Sequence, residues 1–136
     1  MATLHLEIVT PEAKTFDDNV DMVVVPGTEG ELGILPQHVP LMTTLAPGEL
    51  RIVKDGKETI LAVGEGFVEV TQDHVSVLTD MAIEESDIDE GKATEAIARA
   101  EAALREKALA GEEYVAVQSA LLKSLAQLKV KRRRHS

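Results

Sequence analysis

The feature that most constrains the fold of this chain is a change in composition near residue 86. All five prolines lie within the first 47 residues, and seven of the nine glycines precede residue 67. From Ser86 onward the chain is rich in Ala, Glu, Lys, Arg and Leu, which are good helix formers. We therefore predict two units, a turn-rich unit over residues 1–85 and a helical unit over residues 86–136.

Short β-strands fit the apolar pattern of the first unit. Leu4, Leu6 and Ile8 alternate with polar residues, which is the period of a half-buried strand. Asp55 and Gly56 separate two strand-like runs, and this pair tolerates positive φ in a tight hairpin turn. Many short strands with turns between them predict an antiparallel sandwich or barrel. The predicted strand runs span residues 4–8, 20–25, 50–53, 59–63, 67–71 and 75–79.

The second unit has the pattern of two helices joined by a turn at Gly111. Ser86 or Asp87 can cap the first helix, and Asp89 completes a capping-box-like pair with Ser86. The first helix is expected to run to Gly111, a natural C-cap. Apolar residues at spacings of three and four predict one stripe on each helix of an antiparallel hairpin. The stripes are Ile97, Ala100, Leu104 and Ala108 on the first helix, and Tyr114, Val117, Leu121, Leu125 and Leu128 on the second.

Charge is distributed unevenly between the two units, although the whole chain has a net charge of −10 at pH 7. Residues 1–90 carry 19 acidic and 4 basic residues, a balance of −15. Residues 91–136 carry 5 acidic and 10 basic residues, a balance of +5. Such asymmetry indicates separate surfaces with separate partners. Opposite charge also favours contact between the helices and the first unit.

The composition excludes several classes of function. The chain has no Cys, so a disulfide framework, a thiolate metal site and a cysteine nucleophile are ruled out. Aromatic residues make up 2% of the chain, too few for platforms on which nucleic-acid bases stack. The four histidines show no ligand spacing, and neither a catalytic motif nor a calcium-type acidic loop occurs. We therefore predict neither an autonomous active site nor a metal site.

Membrane insertion is not expected from the sequence. No apolar run approaches the roughly 20 residues that a membrane-spanning helix needs. Glu7 and Glu12 interrupt any signal-peptide pattern at the start of the chain. We expect a soluble, intracellular protein.

The most distinctive stretch runs from Glu31 to Leu41 and reads E-L-G-I-L-P-Q-H-V-P-L. Pro36 and Pro40 flank His38 and predict an exposed bend with apolar residues on both sides. Composition alone leaves open whether this bend is only an ordered loop or a contact surface.

This stretch resembles the epsilon subunits of F-type ATP synthases. The resemblance extends to L-x-L-E-I-V-T-P at residues 4–11, G-x-G-F at residues 64–67 and V-x-V-L-x-D at residues 75–80, and it covers essentially the whole chain. It implies a β plus α architecture, with an N-terminal antiparallel β-sandwich followed by a C-terminal antiparallel two-helix hairpin. It also implies a non-catalytic rotor subunit that couples ion translocation to ATP synthesis.

The resemblance implies partners for the sandwich, which in that family binds the gamma subunit and touches the c ring. Membrane contact is then expected only through the complex, on the cytoplasmic side of the bacterial plasma membrane. The residues expected to contact gamma or the c ring are Glu31, Leu35, Pro36, His38, Pro40 and Leu41.

The resemblance also implies a regulatory role for the hairpin. In that family it folds down on the sandwich or extends along gamma to the catalytic alpha and beta subunits, where it blocks ATP hydrolysis. Basic residues near the end of the chain are expected to contact an acidic segment of beta, or gamma, in the extended state. The alternative from the residues alone is a solvated terminus that complements the helix dipole. The basic residues concerned in both interpretations are Lys123, Lys129, Lys131, Arg132, Arg133 and Arg134.

A nucleotide motif overlaps the start of the first helix. Ile88, Asp89, Lys92 and Ala93 match the I-D-x-x-R/K-A motif with which some epsilon subunits bind ATP, and Arg99 follows one to two turns later. Capping alone also explains the acidic residues at this helix end. No cofactor is required under this interpretation, and ATP is expected at most as a weakly bound regulatory ligand.

Two other classes of function compete with a rotor subunit. One is a free small-molecule sensor whose hairpin closes over a nucleotide. The other is a nucleic-acid binder that uses the basic end, which is disfavoured because the acidic remainder would repel phosphate.

Calorimetry with ATP on the isolated chain separates the sensor from the rotor subunit. No heat would favour a purely mechanical role, which fits a second helix that has Leu122, Lys123 and Ala126 where nucleotide-binding relatives supply basic residues. Binding that disappears in Lys92→Ala would instead favour the sensor.

Overall fold

Ten short strands occupy most of residues 4–84 in the computed structural model, which describes residues 2–106 and 109–133 and only the backbone of Arg133. The strands are β1 (Leu4–Val9), β2 (Lys14–Val20), β3 (Met22–Gly27), β4 (Gly30–Ile34), β5 (Leu41–Leu45), β6 (Gly48–Lys54), β7 (Lys57–Val63), β8 (Gly66–Thr71), β9 (His74–Thr79) and β10 (Ala82–Glu84). A short 3₁₀ turn (Glu85–Asp87) and two helices follow, α1 (Glu90–Glu106) and α2 (Glu112–Arg133).

The strands form two halves of a sandwich. One half has the order β10-β7-β6-β3-β4 and the other β5-β8-β9-β1-β2. Gly27 of β3 pairs with Leu45 of β5 where the two halves meet. Side chains from both halves fill one core, so the halves face each other. The predicted sandwich is confirmed, with one departure: β1 and β9 pair in parallel, whereas the other pairs are antiparallel.

The predicted hairpin turn between β6 and β7 is confirmed by its backbone. Asp55 and Gly56 both have positive φ, of 52° and 78°. This is the conformation that a two-residue turn needs in order to match the twist of the strands on either side. The turn sets the register that brings Leu50 opposite Leu61 in the core.

Strand β7 is buried on both faces. Leu61 and Val63 point into the main core, whereas Ile60 and Ala62 point outward into a second, smaller cluster. Ile88 and Val130 complete this cluster, and two half-buried residues, Met81 and Ile83, pack against it. The end of α2 and the segment before α1 therefore cover the outer face of β7.

The first helix begins later than the sequence predicted. Residues 85–87 form a 3₁₀ turn, and Asp89 caps α1 by accepting a hydrogen bond from the backbone N of Lys92 at 3.0 Å. The predicted cap at Ser86 or Asp87 is therefore wrong. The reason is that Ile88, which is buried in the second cluster, adopts an extended backbone (φ −79°, ψ 129°) that interrupts the helix.

The first helix also ends earlier than predicted. The described part of α1 ends at Glu106, and Leu109 and Ala110, which the structure also describes, are not helical. Gly111 (φ 58°) is therefore not its C-cap and instead precedes α2, where its carbonyl accepts a hydrogen bond from Val115 N at 3.2 Å. Ala108 lies outside the described residues.

The predicted α1 stripe holds for Ile97, Ala100 and Leu104, which are buried or half-buried. The predicted α2 stripe holds for Val117, Leu121 and Leu128, which are half-buried, and is wrong for its other two members. Tyr114 and Leu125 are exposed. Because α2 packs on α1 and on strands β6 and β7 at once, no single stripe describes its buried side. The buried residues of α2 are Ser124, Ala126 and Val130. No helix among the described residues is long and apolar enough to cross a membrane.

Polar contacts fasten the edge strand β2, which has few buried side chains. His5 on β1 donates a hydrogen bond to Asn19 at 2.9 Å and lies 2.5 Å from the Asp17 carboxylate, while its ring stacks on His74 of β9. The hydrogen bond to Asn19 and the neighbouring Asp17 raise the pKa of His5 above its usual value. A hydrogen bond from Lys14 lowers the pKa of Asp17.

The raised pKa of His5 predicts a pH-dependent contribution to stability. Protonation is favoured in the folded state, so the contribution is complete below the unfolded pKa of about 6.5 and disappears as pH rises through the folded pKa. Urea unfolding should therefore show that His5→Gln is less stable than the parent at about pH 5.5, with a smaller difference at about pH 8.5.

His74→Gln is the matched control, since it removes the stacked ring and keeps the His5–Asp17 pair. A stability difference between His5→Gln and the parent that does not vary with pH would contradict the prediction.

Candidate functional site

The predicted partner loop forms an exposed bend between β4 and β5. Leu35 and Pro40 are exposed, whereas Pro36 and His38 are half-buried. His38 Nδ1 lies 2.7 Å from the carbonyl oxygen of Val39, a contact that holds the imidazole against its own backbone. These four residues therefore lie together in the bend that links β4 to β5.

Glu31 and Leu41, the first and last of the six residues expected to contact gamma or the c ring, lie on strands and not in the bend. Glu31 is exposed on β4, and its carboxylate lies 3.6 Å from the Arg51 guanidinium on β6. Leu41 opens β5 and packs in part against the main core. The structure thus groups Leu35, Pro36, His38 and Pro40 in the bend, with Glu31 and Leu41 at its two ends.

A hydrogen bond braces this bend against the turn between β8 and β9. Gln37 has a φ of 65°, a left-handed conformation that is uncommon for a residue with a side chain. Its backbone N donates to the Asp73 carboxylate at 3.2 Å, and the Asp73 carbonyl accepts from His5 N at 2.7 Å. The bend is therefore held in place by the rest of the sandwich.

An exposed apolar face was missed by the sequence analysis. Met42, Phe67 and Leu78 lie on the adjacent strands β5, β8 and β9, with side chains that are 65%, 54% and 51% exposed. Together with Glu69 and Ser76 they line a shallow cavity of about 320 Å³. Contiguous apolar side chains at the surface mark contact sites for other molecules. We call Met42, Phe67 and Leu78 the apolar face.

The phase of the strands could have revealed the apolar face. In β8, Val68 and Val70 point into the core, so Phe67 must point outward. In β9, Val75 and Val77 point inward and place Leu78 outside. Large apolar residues at outward positions of alternating strands are therefore a readable signal of a contact surface.

The hairpin docks on the opposite side of the sandwich through one apolar contact region. Val130 near the end of α2 is completely buried, in a cluster with Ile60 and Ala62 of β7 and with Ile88. Nearby, Gln127 Nε2 lies 3.2 Å from Met81 Sδ. The other end of the hairpin is less covered, since Tyr114 and Val115 are exposed. The hairpin is thus held mainly at the end where α1 begins and α2 finishes, which is opposite to the turn between the helices.

Three basic side chains of α2 contact groups outside that helix, which are acidic side chains and one backbone carbonyl. Lys123 Nζ lies 3.3 Å from the Asp80 carboxylate. Lys131 Nζ donates to the Glu85 carbonyl at 3.2 Å and lies 4.0 Å from the Glu85 carboxylate. The third contact joins Arg132 Nε to the Glu90 carboxylate at 2.8 Å.

These contacts bear on the predicted set of tail residues. Lys123, Lys131 and Arg132 have partners within the chain, and Lys129 is exposed. The Arg133 side chain and Arg134 lie outside the described residues. Contact of these cations with beta or gamma stays a prediction, and the intramolecular pairs show what such contact would have to replace.

The residues of the nucleotide motif have different environments. Ile88 and Ala93 are buried, and the Asp89 carboxylate caps α1. Lys92 and Arg99 are exposed. Arg99 borders an open groove of about 340 Å³ between the helices, whose other walls are alanines and Val117. ATP binding stays a prediction.

Across residues 2–106 and 109–133, no group of three or more His, Asp or Glu side chains comes together as metal ligands.

Family models of known domains match both parts of the chain. The family model described as the ATP synthase delta/epsilon chain beta-sandwich domain matches residues 3–85. The model of the delta/epsilon chain long alpha-helix domain matches residues 86–132.

Similar curated proteins cover nearly the full length. The ATP synthase epsilon chain of Dehalococcoides mccartyi is 45% identical, over 99% of this chain and 98% of its own length. The ATP synthase epsilon chain of Laribacter hongkongensis is 44% identical, over 95% of this chain and 93% of its own length.

Two solved structures share the fold. A chain of the Euglena gracilis mitochondrial ATP synthase, solved with its OSCP, F1 and c-ring parts, superposes with a TM-score of 0.78 at 24% identity, covering 95% of this chain and 81% of that one. A chain of the Tetrahymena thermophila mitochondrial ATP synthase central stalk and c ring gives a TM-score of 0.61 at 12% identity, covering 98% and 96%. At these identities the likeness concerns the fold alone.

Proposed function

The chain belongs to the ATP synthase delta/epsilon family, and from this premise we propose that it is a non-catalytic rotor subunit that couples ion translocation to ATP synthesis and restrains ATP hydrolysis. One observation carries the proposal. The sandwich has a face covered by a lightly held helical hairpin and an open apolar face on its other half. The first suits a movable regulator, and the second suits a fixed attachment.

The attachment is proposed to use the apolar face and the bend before β5. Met42, Phe67 and Leu78 would pack against the gamma subunit, because burying their exposed surface is favourable. The bend with Leu35 and Pro40 would meet the c ring. Strand β5 begins where the bend ends and carries Met42, so the two surfaces adjoin.

The regulator is proposed to be the hairpin, which is docked by a small sum of contacts. Complete burial of a Val side chain such as Val130 contributes about 1.5–3 kcal/mol. Each partly exposed ion pair contributes about 0.2–1 kcal/mol. Because each of these contributions is modest, a partner that binds the released hairpin can shift it between two positions.

Inhibition of hydrolysis would follow from the exchange of charge partners. On release from the sandwich, Lys123 and Lys131 lose their partners Asp80 and Glu85. They then become available to an acidic surface on the alpha and beta subunits. Docking and inhibition exclude each other because the same cations serve both.

The two curated relatives described above, which match nearly the full length of the chain, are bacterial. We therefore place the subunit at the periphery of the bacterial plasma membrane, on the cytoplasmic side, as part of the ATP synthase. Its contact with the membrane would be made only through the complex.

Removing the hairpin tests both parts of the proposal. A chain ending at residue 85 keeps the whole main core and uncovers only Ile60, Ala62 and their neighbours. It should fold and assemble with gamma and the c ring. Hydrolysis of ATP by that complex should rise about fivefold or more, the usual lower range for a coupling between two sites.

Phe67→Glu in the shortened chain should prevent assembly, because it places a charge in the centre of the apolar face. Thr71→Glu is the matched control, since Thr71 is exposed on the same strand and outside that face. Unchanged hydrolysis without the hairpin would contradict inhibition, and normal assembly of Phe67→Glu would contradict the attachment surface.

A further inference from the structure

The two glycines of the G-x-G-F motif have different neighbours. A Cβ added at Gly66 would overlap the backbone carbonyl of Leu78, so Gly66 is required for the close approach of β8 and β9. A Cβ added at Gly64 would instead overlap the Asp80 carboxylate and lie 3.1 Å from Lys123 Cδ. Its three nearest atoms all belong to side chains that join the hairpin to the sandwich.

Backbone hydrogen bonds explain why Asp80 lies over Gly64. Gly64 N donates to the Met81 carbonyl at 3.0 Å, and Asp80 N donates to the Glu65 carbonyl at 3.1 Å. The link between β7 and β8 thus lies beside the link between β9 and β10. Lys123 reaches these links from α2, with Nζ 3.3 Å from the Asp80 carboxylate.

We propose that Gly64 is a positioning residue for the docked hairpin, because the missing side chain leaves the space in which Asp80 holds Lys123. Alanine at this position would turn the Asp80 carboxylate away and push the Lys123 stem outward. The φ of Gly64 is not in the left-handed region, so alanine fits the backbone there. The substitution therefore acts on docking and leaves the sandwich folded.

The inference rests on the proposed function for its effect in the complex, but the docked position itself can be measured on the isolated chain. Ala62 is completely buried in the cluster beneath the hairpin, and the chain has no Cys. In an Ala62→Cys background, the rate of thiol modification reports how often the hairpin leaves the sandwich, even when the released state is rare.

Gly64→Ala should raise this modification rate about 1.5- to 5-fold, the factor that corresponds to losing one partly exposed ion pair. Gly33→Ala is the matched control, because a Cβ at Gly33 meets nothing within 4 Å, and it should leave the rate unchanged. Lys123→Gln should raise the rate to a similar extent. Adding Gly64→Ala to Lys123→Gln should then have little further effect, since both changes break the same contact.

A rate that is unchanged by Gly64→Ala, or an effect that simply multiplies with that of Lys123→Gln, would overturn the proposal. A Val68→Cys reporter in the main core separates release of the hairpin from unfolding, and its rate should not respond to Gly64→Ala. A rise at Val68→Cys equal to that at Ala62→Cys would also overturn it.

In the assembled enzyme, Gly64→Ala should lower ATP hydrolysis, because the released hairpin is the inhibitory form. Faster modification of Ala62→Cys with unchanged hydrolysis would support the positioning role of Gly64 and contradict the inhibitory role of the hairpin. The two proposals therefore fail through different measurements.

Discussion

The burial of β7 on both faces is the constraint on which the rest of the structure depends. Its inward side chains, Leu61 and Val63, belong to a core that the sandwich completes by itself. Its outward side chains, Ile60 and Ala62, require a cover, and Ile88 and Val130 supply it from both ends of the helical unit. The hairpin is thus bound to the sandwich through few residues, while the sandwich does not need the hairpin for its own core.

This division separates stability from regulation. In the part of the chain that the structure describes, the main core contains sixteen buried residues drawn from nine strands, so its free energy of unfolding depends little on the hairpin. Among the described residues, the second cluster has four buried members, and the solvent-accessible ion pair between Lys123 and Asp80 supplements it. Such contacts are weak one at a time and are screened by salt. An element held in this way can move without loss of the fold that carries it.

Local patterns in the sequence predicted the parts of the fold that local physics decides. The alternation of Leu4, Leu6 and Ile8 and the turn at Asp55 and Gly56 both appear in the structure as predicted. The parallel pairing of β1 with β9 joins strands about 70 residues apart and leaves no local signal. Tertiary contacts also overrode helix propensity at Ile88, whose burial moved the start of α1 to Glu90.

The functional surfaces were partly predictable for the same reason. The bend around His38 was found through its two prolines, which act locally. The apolar face depends on which side of β5, β8 and β9 meets the core. Phe67 and Leu78 can therefore be recognised as surface residues only once the buried side of each strand is known. The partners of Lys123 and Arg132 lie 43 and 42 residues away, and only the folded chain identifies them.

Locking the hairpin in its docked position tests most directly whether its release causes inhibition. Met81 and Gln127 touch across the docking contact, so Met81→Cys and Gln127→Cys can be joined by a short reducible thiol crosslinker in a chain that has no other Cys. After assembly of the locked chain into the complex, ATP hydrolysis should be faster than with either single-cysteine chain. Reduction of the crosslink should restore inhibition. Equal inhibition before and after reduction would show that the hairpin does not need to leave the sandwich, contrary to the mechanism proposed for this subunit.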